Sequence, residues 1–131
     1  MGRRELREHI FRLLFRAEFH PAEEMSEQET FYLDYLEGLE DKDREYIQDK
    51  VEAIRELMAE LDARVDEVID KWKTDRMARV DLTIIRLAVY EMTCDEDVPT
   101  GVAINEAVEL AKRYGSDQSP AFINAVLAKL A

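Results

Sequence analysis

A single cysteine, Cys94, occurs in the chain. No intramolecular disulfide can therefore hold the fold, and a lone thiol predicts a reducing, cytoplasmic setting. Histidine is nearly as scarce: His9 and His20 lie far apart in sequence, with no partner at i+3 or i+4. That spacing excludes a helical metal site and predicts two surface side chains. Four glycines and three prolines leave few places for turns. No apolar run approaches the roughly 20 residues needed to cross a bilayer, and the acidic, arginine-bearing start is not a signal peptide. There is no glycine-rich phosphate loop, no G-x-S-x-G and no H-E-x-x-H. Cys94 has no histidine near it in sequence, so a nucleophilic role is not expected. Carboxylates are too abundant for any pair of them to indicate glycosidase chemistry. No enzyme, metal, cofactor or small-molecule substrate is predicted.

What the chain does have is negative charge. Eighteen basic side chains face 30 acidic ones, for a net −12 over 131 residues. That length fits one domain, residues 1–131, and can bury roughly two-thirds of its unfolded surface. The charge is uneven. Residues 1–20 are net +2 with arginine as the only cation, residues 21–75 are net −12, and residues 76–131 are net −2. Such a balance argues against gripping nucleic acid by electrostatics alone. Yet arginine offers a forked donor set suited to phosphate, and the basic end includes Arg3, Arg4 and Arg7. A solvated amphipathic helix is the plainer reading of the same residues.

Apolar residues recur at helical spacing throughout, and no segment alternates like a strand. Leu6, Ile10, Leu13, Leu14 and Ala17 predict a first helix that His20-Pro21 ends. Ser26 and Glu29 form a capping-box pattern opening a second helix, with Gly38 as its C-cap. A long stripe from Ile47 to Trp72 predicts helix with a break near Asp62. The run from Val80 to Met92 is the least polar and predicts a buried central helix ending at Cys94. Val102 to Ala111 predicts the next helix, closed by Gly115. A last helix starts near Ser116 or Ser119 with Pro120 in its first turn. The fold class is all-α, a bundle of six or seven helices.

Three strings go beyond periodicity: VDLTIIRLAVYEM at residues 80–92, VPTGVAINEAVELAKRYG at 98–115 and SPAFINAVL at 119–127. Together they closely resemble the C-terminal half of the NusB family of transcription antitermination factors. The arginine-bearing first helix resembles that family more loosely. The resemblance implies two packed helical halves. It also implies a role: binding the boxA element of nascent, chiefly ribosomal, RNA together with the ribosomal protein NusE. That pair helps assemble an antitermination complex on RNA polymerase.

On the matching positions, the resemblance implies RNA contacts by Arg3, Arg4 and Arg7, and by Asp117, Gln118 and Phe122 in the loop and first turn of the last helix. It implies partner contacts by Phe15 and Asp81. Several relatives carry a lysine where Ala121 stands, so one phosphate contact is missing here. The i+4 line from Arg3 through Arg7 to Phe11 and Phe15 places guanidinium groups and aromatic rings on one helix edge, a pattern suited to single-stranded RNA. For Phe11, Phe15 and Phe122 a core position is the competing reading, and for Asp81 a carboxylate favoured by the helix dipole. Asn105 and Asn124 are read as structural residues bridging helix ends. The alternative function is an acidic helical protein–protein adaptor without significant RNA binding.

Overall fold

Every segment with a 3.6-residue apolar repeat is helical in the computed structural model, which describes residues 1–131. Seven α-helices and two single 3₁₀ turns make up the regular structure. They are α1 (Arg3–Arg16), α2 (Met25–Tyr35), α3 (Asp41–Glu56), α4 (Met58–Val68), α5 (Arg79–Cys94), α6 (Thr100–Tyr114) and α7 (Ser119–Leu130). None is long and apolar enough to cross a membrane. The chain divides into two compact units, Met1–Arg55 and Glu56–Ala131.

In the first unit α1 buries Leu6, Ile10, Leu13 and Leu14, α2 buries Met25 and Leu33, and α3 buries Ile47, Val51 and Ile54. Polar clasps fix the register. His9 Nδ1 lies 2.7 Å from the Tyr32 hydroxyl, Arg16 donates to Gln28 and lies over the Tyr32 ring, and the N-terminal ammonium pairs with Asp43 at 3.0 Å. His9 is thus buried, against the expectation of a surface side chain. Burial, with Arg12 nearby, holds its pKa below the ordinary histidine value.

The capping box does not form. A 3₁₀ turn at Ala22–Glu24 leads into α2, which begins at Met25, one residue before Ser26. Glu29 is instead buried 3.6 Å from Arg55. Burial and the Glu52 carboxylate raise its pKa, more than Arg55 lowers it. Here the folded state holds the proton more tightly than the unfolded chain does. Glu29 therefore costs stability as pH rises above its ordinary value near 4.5. Glu29→Gln is expected to remove that loss, so urea unfolding should show the variant gaining on the parent between pH 4.5 and pH 7. An unchanged difference between the two pH values would show that the carboxylate carries no such cost. Gly38, at φ +73°, occupies the turn after α2, whose last helical residue is Tyr35.

In the second unit α5 is the hub. It packs on α4, α6 and α7, and buries Leu82, Ile84, Ile85, Leu87, Ala88 and Val89. α6 contributes Ala103, Ala107 and Ala111, whose small side chains let helices approach closely, and α7 contributes Ile123, Val126 and Leu127. The break in the long acidic stripe falls at Leu57 and not near Asp62. Asp62 lies inside α4, where both carboxylate oxygens accept from Arg86 of α5 at 2.8 Å. Asn105, Asn124 and Cys94 are exposed, so the two asparagines do not bridge helix ends from buried positions.

Candidate nucleic-acid interface

Between α4 and α5 the chain makes a tight, hydrogen-bonded connection. The Asp66 carboxylate accepts from the Thr74 amide at 2.8 Å and from the Thr74 hydroxyl at 2.9 Å. Lys73 donates to the Asp66 and Ile69 carbonyls, both at 2.6 Å, near the C-terminal end of α4, where a cation is favoured. Closing the loop this way drives Trp72 to φ 58°, left-handed backbone that a bulky residue rarely adopts. Its ring is 61% exposed. The expected apolar stripe therefore stops at Ile69, and Trp72 is not a core residue.

On the other side, Gly115 ends α6. A Cβ there would lie 2.6 Å from the Ser119 Cβ and Oγ and 2.9 Å from the Ala111 carbonyl, so the close return of the chain requires glycine. The Ser119 hydroxyl accepts from the Ser116 amide at 3.0 Å. Ser119 thus ties the loop together while Gln118 takes the N-cap position without a side-chain cap, and Pro120 follows in the first turn of α7.

These two connections and the start of α5 enclose a pocket of about 220 Å³. Trp72, Arg76, Met77 and Ala78 line it from the first connection, Asp81 from α5, and Ser116, Gln118, Ser119 and Phe122 from the second. It is smaller than the roughly 300–1,000 Å³ of small-molecule sites, a size suited to one protruding group of a larger ligand. The pocket offers two aromatic rings and one exposed guanidinium, with Asp81 in its wall. Asp81 Oδ1 is buried and meets no donor within the chain, a costly position for a lone acceptor.

Of the sequence-predicted residues the pocket unites Asp81, Gln118 and Phe122, while Asp117 is exposed in the same loop but does not line the cavity. Trp72 and Arg76 were missed. Their signal was present in DKWKTDR at residues 70–76, a tryptophan among charges and unfit for a core.

The basic helix edge is only partly presented. Arg3 and Arg4 are exposed in the first turn of α1. Arg7 is only 8% exposed and Phe11 is buried, so the line from Arg3 to Phe15 is not a continuous surface. Phe11 is core because α1 turns this stripe inward beside Leu14 and Ile10. Phe15 is half-buried, stacked on Phe11 with centroids 6.1 Å apart and edge-on to the exposed Phe19 at 5.1 Å. No group of His, Cys, Asp or Glu is arranged to hold a metal ion.

A helical fold whose loops build an aromatic and polar cleft defines a binding protein. Comparison with known proteins gives the family. The NusB family model matches residues 4–131. The transcription antitermination protein NusB of Agathobacter rectalis is 56% identical over 131 residues, all of both chains. The structure of T. maritima NusB superposes with a TM-score of 0.88 at 33% identity, over 100% of this chain and 91% of that one. A crystal structure of antitermination factors NusB and NusE in complex with dsRNA shares the fold, with a TM-score of 0.80 at 21% identity over 96% of this chain and 92% of that one. The chain belongs to the NusB family of transcription antitermination factors.

Proposed function

We propose that residues 1–131 act in the cytoplasm as one RNA-binding domain that recognises boxA RNA of nascent transcripts together with NusE. The pair would then help RNA polymerase resist termination. The observation that carries this reading is the pocket lined by Trp72, Arg76, Gln118 and Phe122. Single-stranded RNA offers a base to stack on the rings and a phosphate to pair with the guanidinium. Gln118 and Asp117 supply polar contacts from the same loop, and Arg3 and Arg4 pair phosphates, with Arg7 behind them. Phe15 and Asp81 face NusE. The name of the A. rectalis relative supports an antitermination role, and the solved assembly of NusB, NusE and dsRNA supports partnership with NusE and RNA.

At net −12 the chain must offset long-range repulsion from RNA. A basic partner supplies much of that attraction, so binding by the chain alone is weak. Titration of a labelled boxA-type RNA, with and without NusE and at two salt concentrations, tests this. Binding is expected to tighten with NusE and to weaken steeply with salt. Arg3→Ala with Arg4→Ala is expected to cost about fivefold and to reduce the slope of log affinity against log salt by about 1.4, since each phosphate contact on a single strand contributes about 0.7. The burial of Arg7 favours the second reading, an adaptor without RNA binding. No RNA binding beside a tight NusE complex would establish that one.

A further inference from the structure

Helix α2 is apolar on one side and aromatic on the other. Met25, Glu29 and Leu33 face inward. The opposite face carries Glu27, Phe31, Asp34 and Tyr35, at i, i+4, i+7 and i+8. Phe31 is 67% exposed and Tyr35 is 83% exposed. Single exposed apolar residues are ordinary, but these are two rings one helical turn apart, and neither is used within the chain.

Their setting is unusual in charge. Residues 21–41 contain eight carboxylates and no lysine or arginine. The nearest cations in sequence are occupied: Arg44 pairs with Asp34 at 2.8 Å and Lys42 with Glu40 at 3.5 Å. Glu23, Glu24 and Glu27 precede the rings and Glu37, Glu40 and Asp41 follow them, all exposed.

We propose that this face of α2 docks an arginine-bearing segment of a protein partner. A guanidinium lies flat on an aromatic ring and forks its N–H groups to neighbouring carboxylates, using both features of the face at once. Lysine, a hydrated point charge, sits less well on a ring and cannot fork to two carboxylate oxygens as a planar guanidinium does. RNA is repelled by the carboxylates, and a second copy would bring the same charge against them. Exposed ion pairs are individually weak, so the surface serves as an electrostatically steered secondary contact. The proposal does not rest on the RNA reading of the pocket.

The probe is a fluorescein-labelled peptide of alternating arginine and alanine, titrated into the full chain by anisotropy beside its lysine counterpart. The arginine peptide is expected to bind several-fold tighter than the lysine one. Phe31→Ala with Tyr35→Ala, which leaves every charge in place, is expected to weaken it about fivefold and erase the preference. Circular dichroism and the melting temperature should stay unchanged, because both rings are exposed. Equal binding of the two peptides, or equal binding by the double variant, would reduce the contact to general attraction and overturn the proposal. So would a wild-type dimer in sedimentation that the double variant abolishes, which would make a second copy the occupant, or loss of boxA-type RNA binding in that variant.

Discussion

Asp62→Ala is expected to lower stability by about 2 kcal/mol, the scale of charge-assisted hydrogen bonds lost at a partly buried site. The Arg86 side chain is only 11% exposed, and two of its N–H groups point at Asp62. Removing the carboxylate takes two charge-assisted hydrogen bonds from a guanidinium that water reaches poorly, the costly half of a broken pair. For a domain of this size the loss corresponds to roughly 6–8 °C in melting temperature. Replacing both partners, Asp62→Leu with Arg86→Leu, is expected to recover part of the loss, because apolar side chains of similar bulk need no hydrogen bonds there. Thermal unfolding of Asp62→Leu, Arg86→Leu and the double variant gives the coupling directly. Additive losses would mean that the fork contributes nothing beyond its parts.

That fork also marks where the sequence stops being legible. The apolar repeats located the helical segments, since each face must be buried by something, but α3 and α4 read as one stripe with its break in the wrong place. The three strings at residues 80–127 identified the family. Helix ends were harder. Glu56, Leu57 and Met58 are all good helix formers, and nothing in their types announces the break at Leu57. Asp62 looked like a breaker by propensity, but its side chain is engaged with a residue 24 positions away. The same long-range cause removed the capping box: Glu29 cannot reach back to Ser26 while it lies beside Arg55. Arg7 and His9 read as surface residues by type, yet both are buried, and for His9 the Tyr32 hydroxyl supplies a partner from another helix. The pocket was half legible. Asp81, Gln118 and Phe122 were named from matching strings, but their union with Trp72 and Arg76 depends on the Asp66–Thr74 clasp, which no local pattern encodes.

Trp72→Gly separates what that clasp does for the fold from what it does for binding. A bulky side chain in left-handed backbone costs about 1–2 kcal/mol, and glycine relieves that cost while giving back roughly 0.5–1 kcal/mol through unfolded-chain entropy. The ring is 61% exposed, so little packing is lost. Stability is therefore expected to stay within about 1 kcal/mol of the parent. Under the proposed function the variant loses one stacking surface, and base–aromatic stacking is worth about 1–3 kcal/mol. Affinity for a boxA-type RNA in the presence of NusE is expected to fall about thirtyfold, the middle of that range. Urea unfolding and RNA titration on the same preparation read the two effects separately. A large stability loss with RNA affinity unchanged would make Trp72 a structural residue. An unchanged fold with a large affinity loss is what a strained residue retained for its exposed ring predicts.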